Sequence, residues 1–376
     1  MGSTENGRRA VAEIDLGALR ANYRALGAYT NGAKIMAVVK ADAYGHGAVA
    51  VAKTLRHEGC MHFGIATVAE ARELREAGID QRLYLLGGFF AEQADEIVSL
   101  DLTPPVFDPA LLEPLEKAAR RAGRTDYPVH LKLDTGATRL GILPGQISQV
   151  IECMRACRSL HFEGAFTLLA SAADPSSPVT DRQLTTFNDV IGRIRDAGFK
   201  LPMNHAANSA AIVLRPDAHL NLMRPGLALY GLPPVHAVRE KIDLQPVMTF
   251  KTRLLQAKRV PAGSGVGYSH TYITSRETVI GVLAVGYADG YKRGLQNGAE
   301  VSIRGRRAPV VGAICMDLTM VDLTEIPEAR IGDEVVLWGG AGNDLISVND
   351  VARIAQTISY EMLCTVGRRV ARVYRN

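Results

Sequence analysis

The chain has 376 residues, more than one small domain needs, and 47% of them are hydrophobic against 22% charged, the balance of a globular protein with a sizeable core. A net charge of +4 is small for this length, no basic stripe interrupts it, and no apolar stretch is long enough to span a bilayer, so neither nucleic acid nor a membrane is expected as a partner. Five scattered cysteines (Cys60, Cys153, Cys157, Cys315, Cys364) favour reduced thiols in the cytoplasm over a disulfide framework, and Cys153 and Cys157, at helical spacing without a partner pair, are not expected to hold a metal.

In chain order, the opening MGSTENGRRA lacks the apolar core of a signal peptide and reads as a frayed polar leader. A helix is predicted from Leu16 to Tyr29, then a strand over Ala33 to Lys40. Further strands are predicted at 62–67, 83–87, 103–107, 129–134, 162–168, 203–206 and 222–228. Helical stretches separate them, among them 68–77, ended by Gly78, and 183–197, ended by Gly198. About eight strand–helix units in a row predict an α/β fold, a (β/α)8 TIM-type barrel. An open doubly wound sheet is the runner-up, weakened because no GxGxxG follows the first strand. Past Pro233-Pro234 the pattern changes to alternating apolar and polar residues broken by Gly, Pro and Asp turns. This predicts a second, mostly β C-terminal domain with one helix over 348–359. The expected division is a leader and strand over 1–15, a barrel over 16–240 and a β-rich domain over 241–376.

Chemistry concentrates in Ala37-Val38-Val39-Lys40-Ala41-Asp42-Ala43-Tyr44-Gly45-His46-Gly47. An apolar run delivers Lys40 to the carboxyl end of a strand, where barrels place their active sites. A poorly solvated amine there deprotonates easily and can form a Schiff base with an aldehyde. Read locally, Lys40 could equally snorkel out of the strand end, and Tyr44 could simply cap the rim. Lys132 alternates with Leu131 and Leu133 on a later strand and so faces away from them, which in a barrel strand can mean inward, and a buried lysine needs a partner or a neutralising change. Asn208 and Ser209 are placed to start a helix, whose first N–H groups suit a phosphate. Gly226 lets the backbone approach a ligand closely.

The stretch around Lys40 closely resembles the cofactor-lysine motif of the alanine racemases, which use pyridoxal 5'-phosphate (PLP). The resemblance runs from about Ile14 to the C-terminus, carried by separate motifs in the family's order: 130–141, 204–210, 223–231, 267–272, 286–290 and 314–317. It implies a PLP-dependent interconversion of L- and D-alanine, supplying D-alanine for peptidoglycan. Lys40 is then the cofactor lysine and one catalytic base, and Tyr268 the second base on the opposite face. A phenol, with a reference pKa of about 10, needs help to act near neutrality. Tyr44, Asn208, Ser209, Gly226 and Leu227 are implied at the phosphate, Ser209 more directly than Asn208, and Arg224 at the ring nitrogen. Arg139 is implied at the substrate carboxylate, with Lys132 a possible carbamylated lysine pairing with it. Tyr287 and Met316 are implied at the substrate entrance. Tyr268 reaches the neighbouring subunit's cofactor in this family, so a homodimer with shared sites is implied, as is pairing of the 10–15 strand with the second domain.

The match departs at Leu168, where the family usually has a histidine that helps link the ring-facing arginine to the catalytic tyrosine, and at Arg368, where some members have a tyrosine. Both changes motivate an alternative, a racemase of other or broader specificity, serine included. A PLP decarboxylase lacks its cysteine and glycine-rich motifs here. A non-catalytic PLP-binding protein resembles the barrel alone.

Overall fold

The computed structural model describes residues 9–376; most of the leader lies outside them. The chain divides into two compact units, one of residues 20–43 and 48–244, the other of residues up to Leu19, 44–47 and 245–376.

The first unit is the barrel. Strand β1 (Ala10–Asp15) precedes it. Strands β2 (Lys34–Val38), β3 (His62–Ile65), β4 (Arg82–Leu85) and β5 (Leu102–Thr103) pair in parallel, with Met36 opposite His62, Phe63 opposite Leu83, and Leu83 opposite Leu102. Pro104 and Pro105 remove two donors and split the next position, so β6 (Pro105–Val106) takes over and pairs with β7 (Tyr127–Lys132), which pairs with β8 (Leu160–Phe166). The run predicted at 203–206 forms one bridge, Phe166 to His205, rather than a strand. Asn221 then donates to the Asn204 carbonyl at 3.0 Å, and β9 (Leu222–Met223) returns to β2, which closes the ring. The eighth strand is shorter than predicted because Pro225 and Gly226 turn the chain into a 3-10 helix, Leu227–Tyr230.

Helices cover the ring. Val68–Glu76 opens on a capping box, Thr67 with Glu70, and Val179–Asp196 buries Leu184, Phe187, Val190, Ile191 and Ile194 along one face.

The second unit is β-rich. The long strand β10 (Met248–Val260) alternates buried and part-exposed residues over its first half, 248–254, is exposed over 255–259, and pairs antiparallel with β1. Around it run β11 (Gly265–Val266), β12 (Tyr272–Ile273), β13 (Thr278–Leu283), β14 (Glu300–Ile303), β15 (Arg306–Pro309), β16 (Thr319–Asp322), β17 (Glu334–Trp338) and β18 (Ala371–Arg375). The sheet order is β15-β14-β17-β10-β1-β18, with β13 joining β10 to β16 and β11 pairing with β12 apart. Phe250 and Trp338, rings 4.5 Å apart, anchor its core. The helix predicted over 348–359 is two helices, Val348–Ile354 and Ser359–Cys364, because Gln356 turns left-handed between them (φ 56°). No described helix is long and apolar enough to cross a membrane.

Candidate active site

Lys40 leaves the end of β2 half-buried and begins a left-handed helical turn rather than ending a strand: Ala41, Asp42, Ala43 and Tyr44 all have φ of 52–54°, and Gly45 follows at 79°. Left-handed helix costs roughly 1–2 kcal/mol per non-glycine residue, so the turn needs external support. Glu70 supplies part of it, accepting from the Ala41 N–H at 2.8 Å and from the Ala66 N–H at 2.7 Å. Asp42 accepts from the Ala48 N–H at 2.7 Å. In the β-rich unit, a Cβ at Gly45 would collide with the Leu363 carbonyl, so no other residue fits there. Tyr44 is buried beside Tyr360, ring centres 5.8 Å apart, and burial, Tyr360 and Cys364 push its pKa up.

Inside the barrel, Lys132 is 3% exposed with Nζ 4.4 Å from the centre of the Phe166 ring. Burial lowers its pKa to about 7, helped by the nearby charges of Arg224, Arg139 and Lys40 and opposed by Asp134. Lys40, Lys132, Arg139 and Arg224 therefore share one electrostatic neighbourhood. Asp134 shapes the loop after β7: Oδ1 accepts from the N–H groups of Gly136, Ala137 and Thr138, and Oδ2 from that of Arg139 at 2.8 Å. Burial would raise its pKa, but these four bonds outweigh it and hold it below the usual range. The loop presents Arg139 with its side chain exposed.

Arg224 follows β9 and is buried. Its Nη2 donates to the carbonyls of Thr167 (2.7 Å) and Ala206 (3.1 Å), and its Nη1 lies 2.7 Å from His205 Nδ1. A guanidinium can only donate, so His205 Nδ1 accepts and its Nε2 carries the proton. That Nε2 lies 2.9 Å from His130 Nδ1, which must also accept, and His130 Nε2 donates to Glu163 Oε2 at 3.2 Å. Arg82 grips both Glu163 oxygens, at 2.7 and 2.8 Å. Burial keeps both histidines neutral, with their pKa values lowered. For Glu163, burial acts upward, but hydrogen bonds from His130 and Arg82 win and hold it at about 2. Burial lowers Arg224 to about 10, which leaves it charged at neutral pH.

Asn208 caps the Ser209–Leu214 helix, its Oδ1 accepting from Ala210 and Ala211 at 3.1 Å. Ser209 Oγ accepts from the N–H groups of Gly226 (2.9 Å) and Ala228 (3.2 Å), so the Gly226 donor is already engaged. The main-chain N–H groups of Ser209 and Leu227, both buried, have no acceptor among the described residues. Two orphaned donors at the carboxyl end of a barrel suit an anion. These residues thus fit a phosphorylated aldehyde cofactor: an amine at Lys40, donors at Ser209 and Leu227, and a cation at Arg224.

The remaining candidates lie in the β-rich unit. Tyr268 is 71% exposed on the loop joining β11 and β12, where Gly267, Ser269 and His270 all have positive φ. Asn297 ties that loop, through Thr271 (3.3 Å), to the Gly312 N–H (2.6 Å). Tyr287 and Met316, both exposed, sit on loops joined by Tyr287 N–H to the Cys315 carbonyl (3.0 Å) and by Arg369, which binds Asp289 and Asp317 (2.7 and 2.8 Å).

Sequence reasoning assigned no role to His205, His130, Glu163, Arg82 or Gln183. His130 and His205 stood inside the quoted motifs, and their flanking buried runs were the available signal.

Comparison with known proteins agrees with this barrel and β-rich fold. The family model for the alanine racemase N-terminal domain matches residues 14–234, and that for the C-terminal domain residues 247–374. An alanine racemase of Symbiobacterium thermophilum is 42% identical over 363 residues, covering 96% of each chain. The crystal structure of alanine racemase from D-cycloserine-producing Streptomyces lavendulae superposes with a TM-score of 0.93 at 37% identity, covering 98% of this chain and 97% of that one. That from Bartonella henselae, with covalently bound pyridoxal phosphate, gives 0.88 at 30% identity, over 98% and 99%. A barrel with a lysine at its mouth and an arginine fixed by a neutral histidine, followed by a β-rich unit and matched over nearly its whole length, belongs to the alanine racemase family.

Proposed function

We propose that this protein interconverts L- and D-alanine with PLP as cofactor, by two bases acting on opposite faces. The observation that carries the reading is Arg224, a buried guanidinium held by two carbonyls and a neutral histidine, with no carboxylate on it among the described residues. PLP, when bound, supplies an electron sink that acidifies the α-hydrogen of an amino acid. Arg224 keeps its own proton near neutrality, so it would offer a ring nitrogen of the cofactor a hydrogen-bond donor and no transferable proton. An arginine at that position would leave the bound cofactor a weaker electron sink than a carboxylic acid would, which would limit side reactions such as transamination.

Lys40 holds the cofactor and moves the α-proton on one face. Tyr268, from a second copy of the chain in a homodimer, moves it on the other. Ser209 and Leu227 hold the phosphate, with Tyr44, Asn208 and Gly226 shaping its surroundings. Arg139 takes the substrate carboxylate as a planar fork, and Tyr287 and Met316 of the second copy frame the entrance. Lys132 is carbamylated. With a pKa of about 7, about half of it is free amine at neutral pH; that amine's lone pair adds to the carbon of carbon dioxide, one N–H proton leaves to solvent, and the resulting carbamate anion is stabilised by Arg139 and Arg224. The enzyme works in the cytoplasm and feeds peptidoglycan synthesis.

Leu168 favours a second reading, a pocket open to larger amino acids. The test is racemisation by the purified PLP-loaded protein, read by chiral chromatography, with L-alanine, L-serine and larger L-amino acids in parallel. Turnover of alanine far above the rest supports the first reading. Comparable turnover of several supports the second. None, despite bound PLP, overturns both and leaves a cofactor-binding protein.

A further inference from the structure

Gln183 is 1% exposed and lies near the start of the Val179–Asp196 helix. A buried amide must place its donors and its acceptor or destabilise the fold. Gln183 places them across two loops at the carboxyl end of the barrel strands. Its Oε1 accepts from the Ala170 N–H at 2.8 Å, and its Nε2 donates to the Leu168 carbonyl at 2.8 Å and to Thr135 Oγ1 at 3.4 Å. Thr135 Oγ1 shares a 2.8 Å hydrogen bond with Thr167 Oγ1. Thr167 is the residue whose carbonyl receives Arg224 Nη2. Thr135 directly follows Asp134, whose carboxylate gathers the N–H groups that shape the Arg139 loop. Leu168 has no polar side-chain atom, so the helix grips this segment through main-chain groups, the Leu168 carbonyl and the Ala170 N–H. One side chain thus joins the loop that carries Arg139 to the segment that holds Arg224.

We infer that Gln183 is a positioning residue that sets the spacing between the Arg139 loop and the Arg224 segment, and with it how tightly the site binds a carboxylate. The inference rests on the reading of Arg139 as the carboxylate-binding residue. Gln183 acts through Thr135 and the 168–170 backbone and touches neither substrate nor cofactor.

The test uses the full-length, PLP-loaded protein. Gln183→Met keeps the side-chain length and removes all three bonds. Thr135→Val cuts the same link from the other side, and Thr135→Ser restores the hydroxyl. Four quantities are measured: KM and kcat for L-alanine, the Kd of propionate from cofactor fluorescence, and Tm. Gln183→Met is expected to raise KM and the propionate Kd about tenfold while kcat changes less than about threefold. Thr135→Val is expected to weaken propionate binding, to add little on top of Gln183→Met, and to be rescued by Thr135→Ser, because residues in one network do not act additively. A lowered Tm with unchanged KM and propionate Kd overturns the inference and leaves Gln183 a packing residue. Should Gln183→Met fail to fold, an unchanged propionate Kd in Thr135→Val overturns it equally. A wild-type protein that binds propionate but racemises nothing sinks the catalytic reading, and the propionate comparison still decides the role of Gln183.

Discussion

The Nζ of Lys132 stands 4.4 Å from the centre of the Phe166 ring, and its burial there, with Arg224 and Arg139 nearby, depresses its pKa. The pKa falls from 10.5 to about 7, so the unfolded chain binds more protons than the folded one between those values. Stability must rise with pH across that window, and is lost as pH falls through the folded value. Unmodified protein is expected to be more resistant to urea at pH 9 than at pH 6.5. Lys132→Met should flatten the difference, and added bicarbonate should raise the Tm of the wild type alone. A slope that survives in Lys132→Met assigns it elsewhere.

The left-handed turn after Lys40 makes a prediction of opposite sign from ordinary helix rules. Ala41 is exposed with φ of 52°. Ala41→Gly relieves strain of about 1 kcal/mol and gives back part of it through the more flexible unfolded chain, for a net stabilisation of about 0.5 kcal/mol. Ala41→Val should destabilise by more than about 1 kcal/mol. Urea midpoints of the two variants check both signs.

His205→Leu should cost about 3 kcal/mol, because it leaves an Arg224 donor and the His130 Nδ1 acceptor buried without partners. Chemical denaturation of the apoprotein reads this without any dependence on catalysis. A loss below about 1 kcal/mol would mean that water replaces the ring.

Asp134→Ala releases four N–H groups at once and frees the Arg139 loop. KM for L-alanine should rise about tenfold or more, with kcat affected less. Equal losses in both parameters would place Asp134 in transition-state stabilisation instead.

Tyr268→Phe should reduce turnover in both directions by about a hundredfold or more while PLP still binds. Unchanged turnover in either direction means that the second base is another group.

The barrel was legible because its strands are short apolar runs bounded by Gly and Pro, and the second unit because its apolar residues alternate. The exceptions have local causes. His205 joins the ring by a bridge alone, since Ala206 and Ala207 turn at once into the Asn208 cap. The handedness of the turn after Lys40 was hidden because Ala41, Asp42 and Ala43 carry no glycine, and the support comes from Glu70, far along the chain. Lys40, Arg139, Arg224 and Tyr268 stood in recognisable motifs. The hydrogen bonds that hold the barrel residues among them did not show, even where a partner lay inside a motif. His130 and His205 are 75 residues apart, Thr135 and Gln183 48 apart, and no periodicity connects such pairs. Gln183 in particular reads as one more polar position on an amphipathic helix.

The polar chain running from Arg224 through His205 and His130 to Glu163 has every ring nitrogen committed, and each donor points the same way. To hand a proton along it, both imidazoles would have to exchange tautomers together, or one would have to become a cation in a place that disfavours charge. The interior of the barrel is therefore wired as an insulator. It fixes the polarity felt at the guanidinium while conducting nothing, so the protons of the reaction must come and go at the mouth.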